Sequence, residues 1–141
     1  MIHRLSVTFV LVAGLVFARP APSQSARPKI PVYVECKCPD TLGSTFGTKI
    51  KSLVTASTPY QLSDKATAVF QYIIVSVDGD KTKLAPAGQL SAISTLITGD
   101  DGKWVHHAVY AVTNDTVDEA AQNDLRSLSD LIMEAMRQRN N

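Results

Sequence analysis

The chain is poor in cysteine, histidine and aromatic side chains, and it has no excess of either charge. Among 141 residues there are two cysteines, three histidines and one tryptophan, and 14 Lys or Arg stand against 13 Asp or Glu. A near-neutral balance with no basic block lacks the electrostatic footprint of nucleic-acid or anionic-membrane binding. Two cysteines are too few for a disulfide-rich scaffold. No apolar run reaches the roughly 20 residues that a bilayer-spanning helix needs, and no internal repeat is visible.

Familiar catalytic patterns are missing as well. No Ser-His-Asp order stands out, and no pair of acids falls in an obvious pocket. The loops "DGD" (78–80) and "GDDG" (99–102) lack the alternating oxygen ligands and closing carboxylate of a calcium loop. "GSTFGTK" (43–49) follows a strand and opens a helix, but three residues rather than four separate its glycines, and Thr and Lys are swapped relative to a phosphate loop. It reads as a helix start. The sequence therefore supports no enzyme, no cofactor and no metal.

What is present begins with an export signal. Arg4 and the amino terminus precede an uncharged apolar run over 5–17, and Val16 and Ala18 fit small-x-small cleavage after Ala18. Ser23 and Ser25 offer a second site, so cleavage as late as residue 25 fits too. No cysteine lies at the cleavage region for lipid attachment. The expected division is a leader over 1–18, a Pro- and Ser-rich spacer over 19–29 with nothing to bury, and one domain over 30–141. The expected destination is the periplasm or the medium, with no membrane span once the leader is removed.

Within the domain, "IPVYVECKC" (30–38) reads as a strand that Pro39 stops, with Asp40 or Thr41 able to cap the helix that follows. Leu42, Phe46, Ile50, Leu53 and Val54 recur at helical spacing, and Gly43 and Gly47, one turn apart, allow that helix a close approach to a strand. "PYQLS" (59–63) is a short strand. "ATAVFQYIIVSV" (66–77), apolar on both faces, is a central one. "KTKLAPAG" (81–88) is a loop. "QLSAISTLIT" and "KWVHHAVYAVT" flank a glycine turn and form a hairpin. Thr116 and Glu119 make a capping box for a last helix whose apolar face carries Val117, Ala121, Leu125, Leu128, Ile132 and Ala135.

The order β-α-β-β-β-β-α predicts an α+β fold. Its form is a two-layer sandwich, with a mixed or antiparallel sheet of four to five strands and two helices on one face. The other sheet face is left to solvent or to a partner. In the run "ASTPYQLSDKATAVFQYIIVSV", a helix end is followed by Tyr60, Leu62 and Asp64 and then by a long apolar strand over 68–77. This resembles small bacterial envelope domains, such as the amino-terminal domain of the translocation protein TolB and the related domain of the curli-secretion lipoprotein. The resemblance implies a non-enzymatic role in the cell envelope. Separately, the expected partner is an envelope protein or a second copy, bound through the helix-free sheet face.

Two features carry functional alternatives. Cys36 and Cys38 share one side of an extended strand, at a Cα separation of about 6.6 Å, near the upper end for a disulfide. A bend before Pro39 permits an internal bridge, which makes a thiol-disulfide couple one reading. Two inert thiols, a link between chains, and metal handling with one of His106 or His107 are others. The second feature is aromatic. Phe70 and Tyr72 share a side of the central strand with Ile74, and Trp104, His106 and Tyr110 share a side of the hairpin. If these sides coincide away from the helices, they form a partner surface. If instead they face the core, then Val75, Val77, Val105 and Val109 lie outside.

Overall fold

The computed structural model describes residues 28–79 and 88–139. The expected leader, most of the spacer and the loop at 81–87 lie outside the described residues. Strands β1 (Ile30–Lys37), β2 (Tyr60–Leu62), β3 (Phe70–Asp78), β4 (Ser91–Gly99) and β5 (Trp104–Val112) alternate with helices α1 (Thr41–Ala56) and α2 (Val117–Arg139) in the expected order. The five strands form one open sheet in the order β2-β1-β3-β4-β5. β1 runs parallel to both β2 and β3, and β3, β4 and β5 are antiparallel neighbours. The fold is the α+β layout that the sequence predicts.

Local chemistry sets the element ends. Proline at position 39 has no N–H for the ladder, and Asp40 becomes the N-cap of α1, accepting from the Gly43 N–H at 2.7 Å. β3 begins at Phe70 rather than at 66, because Thr67 N donates to Asp64 O and turns the chain there. The β4–β5 turn closes with Gly99 N on Lys103 O at 2.9 Å and places Gly102 at φ +73°, a conformation that favours glycine. At the start of α2 the Thr116 hydroxyl accepts from the Thr113 N–H at 3.0 Å, so it turns back to the preceding loop instead of forward to the helix.

One sheet face carries the core. Val32, Val34, Tyr72, Ile74, Ile93, Ile97 and Val112 are buried there beneath Leu42, Phe46, Ile50 and Val54 of α1 and Val117, Ala121, Leu128 and Ile132 of α2. The helices also meet each other, and Lys49 reaches Asp118 at 3.0 Å.

The opposite face carries no described element. Its register lines up Glu35, Ile73, Leu96 and His107 in one row across β1, β3, β4 and β5. Lys37, Val75, Ser94 and Val109 form the next, and Val77, Ala92 and Ala111 the next on β3, β4 and β5. Val75 and Val77 are each 42% exposed and Val109 66%.

Candidate functional site

Cys36 and Cys38 are joined in a disulfide, with their Cα atoms 5.3 Å apart. That is shorter than two ideal strand rises, so the chain bends as it leaves β1. Both residues pack against the core under the first turns of α1. Gly43 and Gly47 make this possible. A Cβ on Gly47 would stand 2.6 Å from the Cys36 Sγ, and one on Gly43 would collide with the Ser76 side chain. The close approach allowed by the two glycines is therefore made by both, one against the bridge and one against β3.

Beside the bridge lies a polar knot. The buried Asp40 carboxylate accepts from the Gly43 N–H and from the Ser76 hydroxyl in a short contact. Burial pushes the Asp40 pKa up. Hydrogen bonds from Ser76, Gly43 and Ser91 outweigh that, and the net shift is downward. Asp40 thus stays ionised and occupies the positive end of α1. An anionic ligand would have to displace it, and a thiolate at Cys36 or Cys38 would meet a fixed negative charge. The arrangement suits a stable bridge better than an activated thiol.

The histidines are not brought to the cysteines. β5 lies three strand spacings from β1, about 14 Å across the sheet. Among the described residues no three His, Cys, Asp or Glu side chains cluster to hold a metal ion. His107 is on the open face, with Nε2 3.1 Å from the Ser94 hydroxyl. His106 points the other way, with Nε2 3.6 Å from Asp124 Oδ1 on α2.

Asp124 is the residue that sequence reasoning missed. It is fully buried, and its Oδ1 accepts from Tyr110 OH at 2.8 Å and Thr95 Oγ1 at 3.2 Å. Burial raises its pKa to about 7. The signal was available: 117, 121, 124, 128 and 132 follow the helical repeat, and the aspartate stands in the apolar stripe.

The aromatic stripe falls mainly on the covered face, which corrects the choice of partner-surface residues. Tyr72 is fully buried, Phe70 and Tyr110 pack against the core, and His106 faces α2. Trp104 alone is well exposed, at 67%. A bulge explains the split. Trp104 sits opposite Thr98 and His106 opposite Ile97, and these two neighbours on β4 face opposite ways. A regular strand would have kept 104 and 106 on one side.

One further depression of about 460 Å³ runs along α1 beside the start of α2, lined by Thr41, Ser44, Thr45, Thr48, Lys49 and Asp118 among others. Thr45 and Thr48 donate back to their own helix, and Lys49 pairs with Asp118. No described helix is long and apolar enough to cross a membrane. No protein-family model matches the chain, and no curated protein matches it.

Proposed function

We propose that this chain is an exported, non-enzymatic accessory module of the bacterial cell envelope that acts by binding through its open sheet face. The observation that carries the reading is the outward set of Ile73, Val75 and Val77 on β3, Leu96 and Ala92 on β4 and Val109 on β5, with Val109 two-thirds exposed on a face that no described element covers. Aliphatic residues on both central strands and the edge strand form a continuous patch of the kind that marks interfaces.

The occupant that fits is a second copy of this chain. The middle of the face is uncharged. Its charged residues, Glu35 and Lys37, lie on β1 and pair with each other at 3.6 Å, so two copies present no like-charged block. Ser94, Ala92 and Ala111 keep the centre low, which lets two sheets approach to the roughly 10 Å of face-to-face packing. Four strands of up to nine residues give a footprint of about 600 Å², below the roughly 800 Å² per partner of a standard interface. The association is therefore concentration-dependent. The leader pattern over 1–18 supports the exported setting.

Sedimentation of the exported protein over a range of concentrations tests the reading. A dimer that becomes monomeric in Val75→Asp/Val109→Asp, with an unchanged circular dichroism spectrum, is expected. A mass that stays monomeric at every concentration overturns the second-copy assignment, and so does a dimer indifferent to these changes.

A further inference from the structure

The contact between β5 and α2 holds a group of polar atoms that the open-face reading does not use. Asp124 is fully buried, yet both of its hydrogen-bond donors, Tyr110 and Thr95, approach the same oxygen. Its Oδ2 and the Nε2 of His106 are both buried without a hydrogen-bond partner among the described residues. The imidazole is 3.6 Å from Oδ1, within ion-pair range but beyond a hydrogen bond. A buried carboxylate in this setting is costly when ionised, because two donors reach one oxygen and, among the described residues, none reaches the other.

We propose that the buried Asp124 carboxyl is a proton-dependent clamp, which holds α2 on the sheet through Tyr110 and Thr95 while Asp124 keeps its proton and loosens the helix when that proton is lost. With its proton, Asp124 is a neutral acid, which a dry site tolerates. Without it, a lone carboxylate remains with two donors on one oxygen and none on the other.

The surroundings leave no other charge to take over. β5 supplies His106 and Tyr110, and β4 supplies Thr95. β3 contributes Tyr72 on the same face, buried and with no hydrogen-bond partner for its hydroxyl among the described residues. α1 brings Phe46, whose ring lies 6.1 Å from that of Tyr110. The Lys49 ammonium of α1 is paired with Asp118 at the start of α2.

The sign follows from the direction of the shift. Burial raises the Asp124 pKa from 3.8 to about 7. The folded state therefore holds this proton more tightly than the unfolded chain does. The stabilisation is fully present below pH 3.8 and is lost as pH rises through about 7. Between pH 3.8 and about 7 the opened state has lost this proton and the folded state has not, so opening of α2 becomes about tenfold easier per pH unit; above about 7 both have lost it and the slope vanishes.

Amide hydrogen exchange of the whole exported protein from pH 4 to 8, corrected for the intrinsic rate, reads this directly, with the slope confined to the range below about 7. Protection at Ala121 and Leu128 of α2 is expected to fall with pH while protection in α1 holds, and Asp124→Asn is expected to abolish the slope. Equal slopes in wild type and Asp124→Asn, or equal losses in both helices, overturn the clamp. Should the variant not fold, the Asp124 side-chain carboxyl is followed by carbon NMR in the wild type. A midpoint near 7 supports the clamp, and one in the ordinary carboxylate range overturns it.

Discussion

Gly47 on α1 lies directly against Cys36 on β1: a Cβ at Gly47 would stand 2.6 Å from the Cys36 Sγ and 3.0 Å from its Cβ. The sulfur belongs to a bridge and cannot swing aside as the end of a flexible side chain would. Alanine would favour the helix by up to about 1 kcal/mol, but inserting a methyl into a closed contact costs roughly 1–3 kcal/mol. Gly47→Ala is therefore expected to lower the urea midpoint, by a net loss of up to ~2 kcal/mol. An unchanged or higher midpoint would mean that α1 rides further from β1 than this contact allows.

The bridge itself closes a very short loop, and the chain-entropy relation gives it under about 2 kcal/mol of stabilisation. Cys36→Ala/Cys38→Ala is expected to stay folded with a modestly lower midpoint. Because the bridge lies on the helix side of the sheet, the double variant should also keep the association of the open face. Loss of that association, with the Val75→Asp/Val109→Asp protein behaving as wild type, would favour the thiol-disulfide reading instead. Intact mass of the purified protein before and after mild reductant, with thiol trapping, shows whether it carries the bridge. It also shows whether the expected leader is removed.

The elements were legible because their signals are local. Asp40 follows Pro39 and opens an apolar helical repeat, and the glycine turn at 99–102 separates two β-rich runs. Even the close approach at Gly43 and Gly47 could be read, since two glycines one turn apart serve little else in a helix interior. The faces were not legible. β3 is apolar on both sides, so alternation does not say whether Tyr72 or Val75 points to the helices. On β5, one extra residue at the bulge parts Trp104 from His106, and nothing in "KWVHHAVYAVT" marks it. Asp124 escaped for a different reason. A charged residue carries no local mark of burial, though its spacing places it with Ala121 and Leu128.

Asp40 gives the molecule an acid limit. Despite the upward push of burial, the hydrogen bonds from Ser76, Gly43 and Ser91 hold its pKa below 3.8. The folded value is thus lower than the unfolded one. Its contribution is present above pH 3.8 and is lost as pH falls through the depressed value. Asp40→Ala removes the cap and leaves the Ser76 hydroxyl without this acceptor, so a loss of about 1–2 kcal/mol at neutral pH is expected. Asp40→Asn keeps an acceptor for Gly43 and should lose less. Urea unfolding at pH 7 and at pH 3 checks both points. A loss for Asp40→Ala that is as large at pH 3 as at pH 7 would show that the carboxylate charge contributes nothing.

The two faces of β3 and β5 should respond to mutation in opposite ways. Tyr72 is fully buried, and its hydroxyl finds no hydrogen-bond partner among the described residues. Removing it spares a desolvation cost of about 1–3 kcal/mol while leaving the ring in place. Tyr72→Phe is therefore expected to raise the urea midpoint and to leave self-association unchanged. Val109 stands 66% exposed on the open face. Val109→Lys should leave stability within about 0.5 kcal/mol, yet it places a charge within the sheet-to-sheet contact and so weakens the dimer. Denaturation and sedimentation of both variants separate the effects. If Tyr72→Phe weakens association while Val109→Lys leaves it intact, the binding surface is not the open face.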